Sequence, residues 1–171
     1  MANLCSYSMR IKGTKENVNE FYERMENYDK PNHLWRVEAD IYGEYVNEDG
    51  TTTIDVAGSC AWSIESCCRA SGYSEGVDLF EVNSRELDLE IECWSDECGC
   101  CFQEHYLYKK GECLIDDYVR WNEYYYDEFD FESFEDFKKE YDIPKHVTEN
   151  DLDDGCYWHT GGFDNYCEFQ I

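Results

Sequence analysis

The stretch LCSYSMRIKGTKENVNEFYERM, residues 4–25, contains a change of hydrophobic period that decides the fold. From residue 4 to residue 12, apolar and polar side chains alternate, which is the pattern of a strand with one buried face. After Gly13, Thr14 is a good helix N-cap, and apolar residues recur at helical spacing from Val18 to Met25. This stretch therefore predicts a half-buried strand followed by an amphipathic helix.

The next segments predict a hairpin and a second helix. Apolar residues alternate over 35–41 and over 52–56, and the sequence NEDG between these two runs is a turn signal. Ala61, Ile64 and Cys68 then fit one face of a helix, with Gly72 as its C-terminal stop. The segment after this helix is predicted as a loop, and Ser84 as the cap of a single helical turn.

A further strand and a second hairpin complete the predicted sheet. Apolar and acidic residues alternate over 87–93, and the segments 101–108 and 112–119 flank a turn at KKG. The resulting βαββαβ order predicts an α+β fold of the ferredoxin-like kind. In this arrangement an antiparallel sheet carries its helices on one face, and here it has an extra β-hairpin.

The chain is predicted to have two parts. Residues 1–128 form the ferredoxin-like domain with its added hairpin, and residues 129–171 form an acidic and aromatic C-terminal extension. Within the extension, SFED at 133–136 has the form of a capping box, and Phe134 and Phe137 then lie on one helical stripe. The last segment is turn-rich but carries aromatics, which is a poor composition for disorder. We therefore expect the extension to dock on the same domain.

Three segments carry a resemblance to a known family. MANLCSYSMRIKG at 1–13, CAWS at 60–63 and FQEHYLYKKGE at 102–112 resemble the YubB ferredoxin-like domain family. Its members are mostly uncharacterised proteins of plasmids, phages and bacterial genomes. The resemblance covers roughly residues 1–128. It implies a ferredoxin-like fold and an origin on a phage or mobile element, and it implies no catalytic residue.

Composition limits the possible partners. Forty acidic residues against fourteen basic ones give a net charge of −26. This charge argues against direct contact with nucleic acid or anionic lipid, whose phosphates would be repelled, and it favours a basic protein partner or solubility alone. No stretch approaches the ~18 apolar residues of a membrane helix, and the first residues lack the apolar core of a signal peptide. We expect a protein of the bacterial host cytosol, with its eleven cysteines reduced.

The cysteine-rich segment CWSDECGCCFQEH, residues 93–105, is one candidate site. Zinc takes four thiolate or imidazole ligands, and Cys98, Cys100 and Cys101 could share a zinc ion across a turn. A cysteine of the second predicted helix could complete the site. The competing interpretation is that these are small buried thiols that fill strand and hairpin positions. Because the sequence has no nucleotide-binding loop and no recognised catalytic cysteine–histidine signature, we expect neither enzyme activity nor a cofactor.

The tract YVRWNEYYYDEFDFESFEDFKKEYD, residues 118–142, is the second candidate site. Closely spaced carboxylates can take the place of phosphates in a groove built for nucleic acid, and aromatic side chains supply desolvated contacts. The alternative is that the aromatic side chains pack inward while the acidic ones face water. The predicted contact surface consists of Asp116, Asp117, Glu123, Asp127, Glu128, Asp130, Glu132, Glu135 and Asp136.

These observations lead to one function hypothesis and two alternatives. The first is a non-enzymatic protein that binds and inhibits a basic, nucleic-acid-handling host protein, as an anti-defence factor of the anti-CRISPR kind. The first alternative is a small zinc-binding module. The second is a ferredoxin-like binding domain whose acidity serves solubility only.

Overall fold

A computed structural model of the chain describes residues 3–70, 75–120, 122–126, 130–141, 143, 145, 147–152, 156–159 and 167–171. For residues 98, 122–125, 151 and 156–159 it describes the backbone only. The strands are β1 (Leu4–Gly13), β2 (Val37–Val46), β3 (Thr52–Ala61), β4 (Glu90–Glu97), β5 (Phe102–Lys109), β6 (Glu112–Arg120), β7 (Asn122–Tyr125) and β8 (Cys156–His159). The helices are α1 (Lys15–Glu26), α2 (Ile64–Cys68), α3 (Leu79–Glu86) and α4 (Phe134–Glu140).

The first six strands form one sheet in the order β2-β3-β1-β4-β5-β6, and all neighbours are antiparallel. The predicted α+β class with an antiparallel sheet is confirmed. The β5–β6 hairpin continues the same sheet beyond β4. β7 and β8 form a separate two-stranded sheet, which joins residues on either side of the predicted boundary at 128/129.

Alternation in β1 places one row of side chains in the core. Cys5, Tyr7, Met9 and Ile11 are buried, whereas the residues between them are less so. α1, α2 and α3 contribute their apolar faces to this same core, so all three helices pack on one side of the sheet. Burying an aliphatic or aromatic side chain stabilises a fold by roughly 1.5–3 kcal/mol, so the row in β1 is a large part of what holds the helices on.

The predicted start of α1 is confirmed, whereas the start of α3 differs from the prediction. Thr14 caps α1 by accepting a hydrogen bond from the N–H of Asn17 at 3.3 Å. α3 begins in the segment that was predicted as a loop, and Asp78, not Ser84, is its N-cap. Ser84 lies inside α3, where its hydroxyl accepts a hydrogen bond from the N–H of Gly111 in the β5–β6 turn. The loop prediction failed because the helix is short and is stabilised by this packing on the sheet.

α2 is shorter than predicted, with five residues. Ala61 belongs to β3, and Ser63 caps the helix by accepting a hydrogen bond from the N–H of Ser66. The predicted stop at Gly72 lies outside the described residues.

The last described segment, residues 167–171, contacts the face of the sheet opposite the helices. The guanidinium of Arg10 lies 4.5 Å from the ring centroid of Phe169 and donates a hydrogen bond to the main-chain oxygen of Ile171 at 3.2 Å. The same guanidinium forms a bidentate ion pair with Asp55 at 2.7 and 3.0 Å. These contacts attach the end of the extension to β1 and β3. None of the described helices is long and apolar enough to cross a membrane.

A second, smaller hydrophobic cluster surrounds α4. Phe137, Ile143 and Val147 are buried in it, and Tyr126, Phe131 and Phe134 pack against them. As the SFED pattern predicted, Ser133 caps α4, accepting a hydrogen bond from the N–H of Asp136 at 3.2 Å.

Candidate protein-binding surface

α4 has a buried aromatic side and an exposed acidic side. Phe137 is fully buried in the second cluster, whereas Glu132, Glu135 and Asp136 are exposed. The interpretation in which the aromatic side chains pack inward and the acidic ones face water is therefore confirmed for these residues. The role of the carboxylates in binding a partner stays a prediction. The helix rises about 1.5 Å per residue, so it presents Glu135 and Asp136 at fixed spacing, and Glu132 lies just before the N-cap Ser133.

Lys138 reduces the effective charge of this surface at one point. Its ammonium is nearly buried and donates hydrogen bonds to the main-chain oxygens of Val147 and Lys145 at 3.2 and 3.4 Å. It also forms an ion pair with Glu135 at 2.6 Å. Glu132 and Asp136 have no ion pair of this kind among the described residues.

Asp116 and Asp117 lie on β6 but point to opposite faces of the sheet. Asp116 is opposite the core residue Tyr106 and Asp117 is opposite His105 in the β5–β6 register, and successive residues of a strand alternate between faces. Because of this alternation, the two adjacent carboxylates cannot form one continuous patch.

Asp116 is held within the molecule by Arg69. Two guanidinium nitrogens of Arg69 donate to its carboxylate at 2.7 and 2.9 Å. The same guanidinium donates to the hydroxyl of Tyr108 at 2.8 Å and lies 4.4 Å from the ring centroid of Tyr106. Asp116 therefore already has a cationic partner, whereas Asp117 is exposed on the other face.

The remaining residues of the predicted surface are described unevenly. Asp130 is exposed beside the start of α4. Glu123 belongs to β7, of which only the backbone is described, and Asp127 and Glu128 lie outside the described residues. The described carboxylates thus come from the region of α4 and from the two faces of β6.

The cysteine-rich segment forms the turn between β4 and β5. Cys98–Cys100 is a short 3₁₀ helix, and the sulfur of Cys100 accepts a hydrogen bond from Nδ2 of Asn3 at 3.0 Å. Within the described part of the chain, no group of three or more His, Cys, Asp or Glu side chains is arranged to hold a metal ion. The cysteines whose side chains are described, including Cys67 and Cys68 in the core, are free thiols.

A pocket at the end of the sheet was not predicted from the sequence. A cavity of about 290 Å³ lies between the start of α2 and the β5–β6 hairpin. Trp62, Phe102 and Tyr118 supply its aromatic lining, and Glu65 and Arg120 supply its charges. Trp62 stands in the quoted CAWS motif, but its partners come from distant segments, so no local pattern identifies the pocket.

The buried carboxylate of Glu104 connects this pocket to the core. It accepts hydrogen bonds from the N–H groups of Ile64 and Glu65 at 2.9 and 3.3 Å, which fixes the first turn of α2 against β5. It also accepts from the hydroxyls of Ser95 at 2.5 Å and Tyr106 at 3.1 Å. Burial raises the pKa of Glu104, although these four donors partly oppose that effect.

No protein-family model, curated protein or solved structure matches this chain. The resemblance to the YubB family rests on the quoted sequence segments and stays a prediction.

Proposed function

We propose that this protein is a non-enzymatic inhibitor, carried by a phage or other mobile element, that acts in the cytosol of the bacterial host. It binds a basic protein that handles nucleic acid and occupies the surface on which phosphates would lie. The observation that carries this proposal is the exposed acidic side of α4, held in place by a buried aromatic side.

The small core around α4 matters because it organises the carboxylates before binding. Phe137 is fully buried, and Tyr126, Phe131 and Phe134 surround it. A surface that is already ordered loses less conformational entropy on association than a flexible acidic tail does. The folded helix therefore favours specific recognition over mere solubility.

The charge of the chain supports the same kind of partner. A net charge of −26 steers a positively charged surface toward the protein and repels nucleic acid. Arg and Lys side chains that bind phosphate groups also form charge-assisted hydrogen bonds with carboxylates. An acidic protein can thus compete for a site built for nucleic acid.

The strand order supports a finer proposal about the fold. In β2-β3-β1-β4 the first strand lies between the third and the fourth, and helices follow both β1 and β3. We propose that this part is a ferredoxin-like unit, extended by the β5–β6 hairpin. Such a unit agrees with the resemblance to the YubB family and with the association of that family with phages and plasmids.

Affinity capture from a nuclease-treated bacterial lysate tests the function. Tagged protein should retain a basic nuclease or nucleic-acid-binding complex at low salt and lose part of it at high salt. The Asp117→Asn, Glu132→Gln, Glu135→Gln, Asp136→Asn variant should retain much less.

The matched control removes the same number of charges elsewhere. Asp29, Asp40, Glu48 and Glu75 are also exposed, and their four amide substitutions should leave capture nearly unchanged. Equal retention by the wild type and by the variant with the Asp117, Glu132, Glu135 and Asp136 substitutions would refute the proposed surface. Equal loss in both variants would mean that net charge alone drives the association.

A further inference from the structure

We propose that the pocket between α2 and the β5–β6 hairpin receives an arginine side chain of the partner. This inference rests on the proposed function, since it names the group by which a basic partner would be held. It adds a site that is separate from the acidic side of α4.

The pocket presents aromatic rings to an incoming group. Trp62 and Tyr118 are 45% and 49% exposed, which is high for such large side chains. Tyr118 stacks on the buried Phe102 with ring centroids 5.6 Å apart and an angle of 22° between the planes. A planar guanidinium stacks well on such rings because its weak hydration makes desolvation cheap.

The backbone at Trp62 is held in an unusual conformation. Its φ is +74°, a left-handed value that is strained for a bulky residue. The N–H of Trp62 donates to the main-chain oxygen of Asn3 at 2.9 Å, and Ser63 caps α2 directly after it. The strain is thus maintained by contacts on both sides, and it keeps the indole at the pocket instead of in the core.

The charges around the pocket favour a cation. Glu65 lines it, and the buried carboxylate of Glu104 lies behind its wall. Burial raises the pKa of Tyr118; Arg120 opposes this rise, and Glu104 and Glu65 add to it. Glu104 is opposite Tyr118 in the β5–β6 register, and Glu65 and Arg120 line the same pocket, so two acidic side chains and one guanidinium lie around Tyr118. Together with the net charge of −26, this makes the pocket a poor site for a phosphate.

Substitution of Arg120 tests whether the pocket binds a cation or an anion. It lines the pocket and repels a cationic occupant, so its removal should tighten the binding of arginine. If the natural occupant were an anion, the same substitution would weaken binding. The Arg120→Gln variant thus separates the two classes of ligand.

The experiment uses the full chain and two small probes. N-acetyl-arginine amide and its neutral analogue N-acetyl-citrulline amide are titrated while the backbone amide signals and the tryptophan indole N–H signals are followed by NMR. The arginine probe should shift the Trp62 signal in a saturable way, with the citrulline probe at least about threefold weaker. Trp62→Ala and Glu65→Gln should each weaken the arginine probe by about threefold or more, and Arg120→Gln should strengthen it by about twofold.

The control is Trp35→Ala, since Trp35 is also partly exposed, at 37%, but does not line this pocket. It should leave binding of the arginine probe unchanged. Equal binding of both probes, or weaker binding of the arginine probe by Arg120→Gln, would overturn the inference.

The two proposals can fail separately. The variant that lacks the carboxylates of Asp117, Glu132, Glu135 and Asp136 should still bind the arginine probe, because its pocket is intact. Undiminished lysate capture by this variant, with normal probe binding, would therefore count against the acidic surface only. Normal capture with no probe binding would count against the pocket only.

Discussion

The carboxylate of Glu92 lies 2.7 Å from Nε2 of His105, and both side chains are buried on the sheet face opposite α1–α3. The His105 ring stacks on Trp94 with centroids 3.5 Å apart. The second oxygen of Glu92 accepts hydrogen bonds from the N–H groups of Gln170 and Ile171 at 2.5 and 3.0 Å. Because a buried carboxylate requires compensating partners, this arrangement makes the last described residues part of the folded domain.

Glu92→Gln should destabilise the protein and loosen the end of the chain. An amide has no negative charge and only one accepting oxygen, so the contacts with His105 and with the two main-chain N–H groups should weaken. The expected cost is about 1–3 kcal/mol in the free energy of unfolding, measured by urea denaturation. The control Glu90→Gln alters a more exposed pair with Lys109 and should cost about 0.5 kcal/mol or less. Equal costs for the two variants would contradict the buried role of Glu92.

The contribution of Glu104 to the free energy of unfolding should decrease as the pH rises. Burial raises its pKa in the folded protein above the ordinary value of 4.5, so the folded state holds this proton more tightly than the unfolded state. Between the unfolded and folded pKa values, raising the pH therefore costs stability. The free energy of unfolding of the wild type, minus that of Glu104→Gln, should fall as the pH rises from about 4.5. A difference that grows over this range would show that the folded pKa is lowered instead.

Substitutions of Asp116 and Asp117 should have different effects on stability and on partner capture, although the two residues are adjacent in sequence. Asp116 is 57% exposed at its side chain but is held by Arg69, so Asp116→Asn should lower stability by about 0.5 kcal/mol and barely change partner capture. Asp117→Asn should leave stability unchanged and weaken capture. Denaturation and lysate capture of the two single variants check this, and a larger capture defect in Asp116→Asn would contradict the assignment.

The features of this fold that can be predicted from the sequence are those that depend on neighbouring residues. The alternation of Cys5, Tyr7, Met9 and Ile11, and the cap at Thr14, depend on neighbouring residues and were predicted correctly. Even the opposite orientation of Asp116 and Asp117 follows from the two-residue period of a strand. Such local patterns do not predict contacts between segments that are distant in the sequence.

The pocket and the contacts of Arg69 both depend on contacts between distant segments. Trp62, Phe102 and Tyr118 come from three separate segments, and only the sheet register brings the last two together. Arg69 reaches Asp116 because α2 packs over β5, which no local pattern states. The sequence alone does not identify Asp78 as the N-cap of α3, because this short helix is stabilised by its packing on the sheet.

The cysteine turn should tolerate the loss of its thiols. Cys100 and Cys101 are partly exposed at this turn, and substitutions at such positions usually change the free energy of unfolding by about 0.5 kcal/mol or less. In a protein without bound metal, Cys98→Ser, Cys100→Ser, Cys101→Ser should therefore retain the fold and its unfolding midpoint within error. Elemental analysis of wild-type protein purified without added metal is the direct check. Equimolar zinc, lost in the triple variant together with stability, would restore the metal-binding alternative.

Phe137→Ala should unfold α4 while leaving the main sheet intact. Phe137 is fully buried at the centre of a small cluster, and truncating such a side chain costs about 3–5 kcal/mol. A cluster of this size has little stability to lose, so the helix should open locally. Hydrogen exchange followed by mass spectrometry should show rapid exchange over 133–141 and unchanged protection in β1 and β4.

The same variant tests whether order in α4, and not its charge alone, gives binding. Phe137→Ala keeps every carboxylate, so a partner that responds only to net charge would be captured as well as by the wild type. We expect capture to fall to the level of the variant lacking the acidic residues, because the carboxylates are no longer held at fixed spacing. Phe137→Leu, which largely preserves the buried volume, is the control and should restore both protection and capture. Full capture by a protein whose α4 exchanges freely would show that the partner does not recognise a folded acidic helix.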